Sequence, residues 1–449
     1  MTEGNILKRI CFFAAPCILS RVLQNLYTLL DSVIVGQAID ANALAAVGAT
    51  TSIISLFTDT VIGLMSGFSV TAANKYGSRN SIALRKVFSN SFAITLLVSI
   101  LVTCFGVLFS RNILVLLNTP PEILDGAELY LKIIFVGISA SFFYNFFCEM
   151  LRALGNSRQP LYFLIFSSVL HILFIGIFIY GFHMGIVGAA LSTVISQLLA
   201  VLMTWYYMNT KVPCFHISFK DISSVVKKPD VSVLKECLHI GIPMAVTNFV
   251  VAFGVIILSF ITNGIGVEYV TAYSCASKIG YIITTPIFGF ATAVSVFASQ
   301  NLGAGHIIRI KEGVRKVSIL VTAINLVLFL MVLFAARPLL TLLIKDSPIA
   351  VEAGVSYLFI RCTAMFVLTF AAIFKNVLAA LGKPLFPTVS GFLEIAVRYI
   401  IPITLAPTLG FFCVPLTDAS TWLMLAILLT PAYVYEIKNL QKQMQRANV

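Results

Sequence analysis

Asp31 stands deep inside an apolar run, ICFFAAPCILSRVLQNLYTLLDSVIVG, that extends from Ile10 to Gly36. Gln24, Asn25, Thr28, Asp31 and Ser32 lie 3, 4, 7, 10 and 11 positions after Arg21 in the same run. At about 100° per residue these six polar positions fall inside an arc of roughly 120°, one polar stripe on an otherwise apolar helix. A charge at the centre of a bilayer costs at least about 2.5 to 3.5 kcal/mol, so the stripe must face protein or water. A carboxylate held there can take up a proton or a small cation and release it when hydration changes, because burial penalises the charged form. Gln24, Asn25, Tyr27 and Thr28 flank Asp31 on or near its face. Their hydrogen-bonding groups, and the Tyr27 ring as a partner for an organic cation, suit the lining of a substrate cleft. The plainer role for such groups is hydrogen bonding between helices.

His171, in FSSVLHILFIGI, is a second candidate. An imidazole titrates near neutral pH, and His171 is either a neutral ring bonded to backbone or a proton partner for Asp31. The second role requires the first and fifth helices to touch. Asp59 shares a helix face with Thr51, Ser55, Thr58 and Ser66 and is a further cleft candidate. It can attract a cationic substrate or pair with a cation such as Lys278. Glu394 and Arg398 are spaced i, i+4 and are expected to neutralise one another, as are Glu149 and Arg152. Lys375, beside Asn376, needs a partner or a hydrated cavity, while Lys278 and Arg361 stay unassigned. The structural alternative for Asp31 is a permanent pair with Arg21 or another cation. No GxxxxGK[ST], HExxH or GxSxG occurs, so nothing points to a built-in ATPase, a zinc peptidase or a serine hydrolase. No catalytic residue, cofactor or metal centre is assigned, with Na⁺ at Asp31 left open.

The elements that must position these groups follow from composition. The 449 residues are 59% hydrophobic and 11% charged, with mean hydropathy +0.99. Soluble proteins carry about 25% charged residues, so this is an all-α integral membrane protein. About twelve spans are readable, at 10–36, 44–73, 87–109, 128–151, 161–182, 185–208, 238–263, 271–299, 317–336, 353–381, 387–409 and 411–435. Lys8 and Arg9 precede a span-length apolar run without a small-residue cleavage site, so the first span is expected to be retained. The net charge of +12 does not point to nucleic acid. Lys and Arg gather in alternate connections, from Lys8 and Arg9 to Lys438, Lys442 and Arg446, leaving Arg111, Arg337 and Lys345 for the opposite side. That asymmetry predicts two cytoplasmic termini in a plasma-membrane protein. The nine cysteines, Cys214 among them, form no CxxC pair and read as small buried hydrophobes. The partners expected are the lipid bilayer, small organic molecules and H⁺ or Na⁺, with the chain acting as a monomer.

The polar connection 209–232 divides the chain into a six-span lobe over 1–208 and another over 233–436, followed by a tail over 437–449 that reads as a short surface helix. The halves repeat. ILKRICFFAAPCIL resembles VLKECLHIGIPMAV, setting Pro16 opposite Pro243 at an offset of 227. LRALGNSRQP matches LAALGKPLFP at the same offset, and SGFSVTAANKYG matches TAVSVFASQNLG at 226. An even number of spans in each half implies two lobes of the same orientation related by a pseudo-twofold axis along the membrane normal, with a substrate site between them. The offset carries Asp31 onto Leu258, which predicts that acid chemistry is confined to the first half. Pro16 and Pro243 are expected to bend the first and seventh helices.

LQNLYTLLDSVIVG, NALAAVGA, LRALGNSRQP and GIVGAALSTVISQ in the first half, with SQNLGAG and the Arg398 helix ending LAPTLGF in the second, resemble the multidrug and toxic compound extrusion (MATE) family. The resemblance covers nearly the whole chain and implies two six-helix lobes around a central cleft. It also implies export of organic, often cationic, compounds driven by inward Na⁺ or H⁺. The family's first-helix coupling carboxylate matches Asp31, and a sixth-helix threonine near that site matches Thr193. The chain departs from the N-x-x-x-D-P pattern of many members' fifth helix, where it has His171 and Ile175, and its seventh helix, GIPMAVTNFVVAFG, offers no acid. A Na⁺ site wants several oxygens, which Asp31 and Thr193 supply poorly, so the sequence favours H⁺. The alternative is a lipid-linked saccharide flippase of a related fold. Its strongly cationic cavity would hold pyrophosphate through Arg21, Lys132, Lys278, Arg361, Lys375 and Arg398.

Overall fold

A computed structural model describes residues 1–117, 119–212, 215, 230–344 and 347–447. Cys214, Lys220, Lys227, Lys228 and Lys345, all read from the sequence, lie outside the described residues. The described chain is built from long helices: α1 (Ile6–Ala38), α2 (Ala41–Gly77), α3 (Ser81–Leu116), α4 (Pro121–Ala153), α5 (Arg158–Ile175) and α6 (Gly185–Lys211). The second half follows with α7 (Val231–Ile265), α8 (Val267–Gly303), α9 (Ile307–Leu343), α10 (Pro348–Ala380), α11 (Leu385–Leu409) and α12 (Cys413–Ala447). Ten stretches among the described residues are long and apolar enough to cross a membrane, the last of them running through α11 and α12. The protein is a multi-pass, all-α membrane protein. One expectation changes: the polar tail is no separate surface helix, because α12 runs unbroken to Ala447.

Helix starts follow local chemistry. Asp40 accepts a hydrogen bond from the Ala43 amide at 2.6 Å, Asn80 from Ala83 at 2.9 Å, and Ser347 from Ala350 at 3.2 Å, the last followed by a first-turn proline. Each side-chain oxygen satisfies an amide that the helix itself leaves unpaired.

The sequence repeat returns as matching backbone hydrogen bonds. After α4, the amides of Leu154, Gly155 and Asn156 donate to the carbonyls of Met150, Arg152 and Leu151. After α10, Leu381, Gly382 and Lys383 donate to Val377, Ala379 and Leu378, each partner 227 residues on. Gly155 and Gly382 both take a left-handed φ, +86° and +73°, which a glycine adopts without a Cβ clash. The turn after α2 is repeated after α8 at offset 226, where Arg79 holds a φ of 56° and its counterpart Gly305 one of 75°. Helix starts keep the same register. Pro121 and Pro348 open α4 and α10, and Arg158 and Leu385 open α5 and α11. Beyond these starts, α5 gives way to a π-helical turn at Gly176–Gly181, the stretch in which α11 carries Pro407, with Pro402 matching Ile175 just before it.

The chain forms two compact units. The first is Leu19–Ala245, and the second combines Met1–Ile18 with Val246–Val449. In the first, Phe68, Phe88, Phe135, Phe142, Phe146, Phe147 and Phe163 are fully buried. Apolar area alone does not drive helix association in lipid, where close packing of small residues matters more. Gly63 and Gly67 of α2 accordingly meet the start of α7. A Cβ on Gly63 would fall 2.8 Å from the backbone of Met244 and Ala245, and one on Gly67 would fall 2.8 Å from Ile240. Lys75 of α2 pairs with Glu236 of α7 at 2.8 Å, and Lys86 of α3 pairs at 2.9 Å with Asp230, the residue just before α7. In the second unit Gly289 of α8, 226 residues after Gly63, packs on Ile18 of α1. The amino terminus is held there too, with Met1 donating to Gln300 at 2.9 Å and Arg309 donating to the Gly4 carbonyl at 3.1 Å.

Candidate functional site

Tyr27 and Asp31 are one helical turn apart on α1 and share a face. Asp31 Oδ1 lies 3.4 Å from His171 Nε2 of α5, so the contact that a proton partnership requires between these helices is present. The Tyr27 ring meets the His171 ring edge-on, with centroids 4.8 Å apart. Thr193 of α6 completes the group, its Oγ1 3.2 Å from His171 Nε2. The Thr193 hydroxyl spends its one hydrogen on the Ala189 carbonyl at 3.2 Å, which leaves its lone pairs for the imidazole N–H and for nearby phenols. Tyr130 of α4, absent from the sequence reading, joins them. Its hydroxyl and that of Tyr27 converge on Thr193, and both rings lie within electrostatic range of Asp31.

The three residues proposed for coupling, Asp31, His171 and Thr193, therefore come together. His171 is 1% exposed and Asp31 18%. Asp31 Oδ1 is buried and makes no hydrogen bond among the described residues. A buried carboxylate oxygen with no donor is costly to keep. It stands where a proton or small cation would be satisfied by Asp31 together with the hydroxyls around it. Among the described residues no guanidinium forms an ion pair with it, and Arg21, weighed as a permanent mate for Asp31, lies within electrostatic range of Asp59.

The residues read as cleft lining distribute differently. Gln24, Asn25, Thr28 and Asp59 are exposed, while Tyr27 is turned into the Asp31 group. The Thr28 hydroxyl donates to the Gln24 carbonyl of its own helix at 3.0 Å.

The second unit overturns the expectation that acid chemistry is confined to the first half. Asp418 of α12 is buried between two guanidinium groups. It accepts from Arg361 of α10 through Oδ2 and from Arg398 of α11 through Oδ1 at 2.9 Å. Glu394 pairs with Arg398 at 3.1 Å, as its spacing predicts, and Tyr357 joins through Arg361 at 3.0 Å. Gly254 and Gly280 make room for the arginines. A Cβ on Gly280 would fall 2.7 Å from Arg361 Nε, and one on Gly254 2.5 Å from Arg398 Cδ. Asp418 was legible as a lone acid in the apolar run CVPLTDASTWLMLAILL, and Tyr130 through its match to Tyr357 at offset 227. The cations that were to hold a lipid pyrophosphate are in part already neutralised, Arg361 and Arg398 here and Lys132 by Glu128 at 2.6 Å.

The MatE family signature matches the chain twice, over residues 16–177 and 243–404, two segments again 227 positions apart. The probable multidrug resistance protein YpnP of Bacillus subtilis is 32% identical over 307 residues, covering 68% of this chain and 67% of that protein. The multidrug export protein MepA of Staphylococcus aureus is 25% identical over 408 residues, covering 89% and 87%. A crystal structure of a MATE protein in its bent conformation superposes with a TM-score of 0.90 over 98% of each chain at 20% identity, a likeness of fold. With two repeats, long apolar helices and both halves matched, the chain belongs to the MATE family of multidrug efflux transporters.

Proposed function

We propose that this protein exports small organic compounds, cationic or amphipathic, in exchange for inward H⁺, with Asp31 carrying the proton and His171 and Thr193 positioning it. The observation that supports this most is the orphaned Asp31 Oδ1 facing His171 Nε2 at 3.4 Å. A carboxylate with a buried oxygen and, among the described residues, no Lys or Arg paired with it can exchange a cation. Loading it removes a buried charge, and unloading restores that charge, so its occupancy biases which arrangement of the helices is stable. Na⁺ is the competing ion. The Thr193, Tyr27 and Tyr130 hydroxyls add oxygens to the group, while His171 presents nitrogen. On this reading the protein is a monomer in the plasma membrane with both termini cytoplasmic. Gln24, Asn25, Thr28 and Asp59, being exposed, are available to substrate.

The test is dye efflux from proteoliposomes under an imposed pH gradient, an imposed Na⁺ gradient, or neither. Efflux under the pH gradient alone is expected. Efflux driven only by Na⁺ would reassign the ion, and efflux driven by neither, or unaffected by Asp31→Asn, would end the reading.

A further inference from the structure

The repeat sets His171 and Tyr130 of the Asp31 group opposite Arg398 and Tyr357 of the buried arginine cluster. His171 and Arg398 are each the fourteenth residue of helices that begin at Arg158 and Leu385. Tyr130 and Tyr357 are each the tenth residue of helices that begin at Pro121 and Pro348. Thr193 and Thr421 are each the ninth residue of helices that begin at Gly185 and Cys413. Tyr27 and Asp31 map through the offset of 227 onto Gly254 and Leu258. Contacts follow the map. Tyr27 packs on His171 in the first unit, and Gly254, at Tyr27's place, packs on Arg398 in the second. The larger guanidinium fills the space that the missing phenol releases.

The charges are arranged differently in the two groups. In the first, one carboxylate faces an imidazole and hydroxyls, so a positive charge is lacking whenever the imidazole is neutral. In the second, Asp418 has moved to α12, at the place of Ala190, and two carboxylates balance two guanidiniums. Arg361 lies 5.0 Å from the Trp422 ring centroid and 5.3 Å from that of Tyr281, which adds cation–π attraction. Tyr273, Tyr281 and Tyr357 lie within electrostatic range of Arg361 and Asp418, and Lys375 within range of Glu394 and Arg398. A guanidinium stays protonated throughout the physiological range, so these cations cannot leave.

We propose that the second unit carries a duplicated ion site whose cation is built in. Arg398, with Arg361, occupies the position of an exchangeable ion, so this unit takes up none in the transport cycle. Removing the Arg398 guanidinium opens a site for H⁺ or a small inorganic monovalent cation at Glu394 and Asp418. The proposal rests on the reading of Asp31 as an ion site, but its test reads a different unit.

The chain has two tryptophans, so Trp205→Phe leaves Trp422 as the sole reporter, one turn from Asp418. In the purified full-length protein its emission is expected to stay flat from about pH 5 to about pH 8. It is likewise expected to stay flat when Na⁺ replaces K⁺ up to about 0.15 M at constant ionic strength. Adding Arg398→Met is expected to create a saturable response to Na⁺ or pH that persists in Asp31→Asn. Arg398→His, which restores the residue of the first unit, is expected to make emission titrate within the same pH range. Arg398→Lys is expected to remain flat. A parent response that survives Asp31→Asn overturns the proposal, as does a folded Arg398→Met protein that responds to neither ion. If neither the Arg398→Met nor the Arg398→His protein folds, the parent decides alone: a response surviving Asp31→Asn refutes the built-in cation, and flat emission upholds it.

Discussion

Asp31 Oδ1 and His171 Nε2 face each other at 3.4 Å between the first and fifth helices, and that carboxylate oxygen receives no hydrogen bond among the described residues. Asp418 of the second unit, by contrast, is held by two arginines. The two buried aspartates therefore answer differently to substitution.

Asp31→Asn keeps the shape of the side chain and removes the exchangeable charge. Gradient-driven dye efflux is expected to fall to the level of protein-free liposomes, while the purified protein keeps its thermal stability. Stability is preserved because, among the described residues, no Lys or Arg is paired with Asp31.

Thr193→Ala removes the hydroxyl that lies 3.2 Å from the imidazole. Groups that orient an ion-binding side chain typically contribute 10-fold or more to affinity, so an apparent affinity for the driving ion weaker by about 10-fold is expected. The dependence of efflux rate on the concentration of that ion, at saturating dye, measures it.

Asp418→Asn leaves Arg398 buried with Glu394 alone and Arg361 buried with no carboxylate paired to it among the described residues. Breaking a buried pair by removing one partner costs about 3–5 kcal/mol. A marked drop in the thermal unfolding midpoint in detergent is expected, with any loss of efflux tracking loss of folded protein.

Gly67→Val pushes a branched side chain into the backbone of α7 at Ile240 and Gly241. Overpacking of this kind costs about 1–3 kcal/mol, and more here because backbone rather than a side-chain tip must yield. Lower stability is expected for Gly67→Val. Gly48→Ala, inside α2 and with a Cβ that meets nothing within 4 Å, is expected to show no loss of stability in the same thermal assay.

Outside the spans, the Lys86 ammonium holds the Asp230 carboxyl below its usual range of about 3.8. Because the folded value is the lower one, the contribution to stability is present above the unfolded value and is lost as pH falls through the folded one. Both groups are solvent-accessible, so the effect is small and screened by salt. Asp230→Asn is expected to change stability slightly at neutral pH and not at all at the acid end, as read by thermal unfolding across acidic buffers.

Composition and periodicity alone determined the helices and the duplication, and they singled out Asp31 as a candidate. Each rests on a local property: apolar runs of span length, turn residues recurring at offset 227, and a charge too costly to leave in lipid without a role. Glu394–Arg398 was readable for the same reason, because an i, i+4 pair is set by one helix. What pairs across helices was not. Tyr130 reads as one aromatic among many until α4 brings it to Thr193, and Tyr27 reads as cleft lining until its ring meets His171. Asp418 draws Arg361 and Arg398 from 57 and 20 residues away, a meeting decided by the room that Gly254 and Gly280 leave. Spacing within a helix is written in the chain, whereas the distance between helices is set by which side chains are small enough to let them approach.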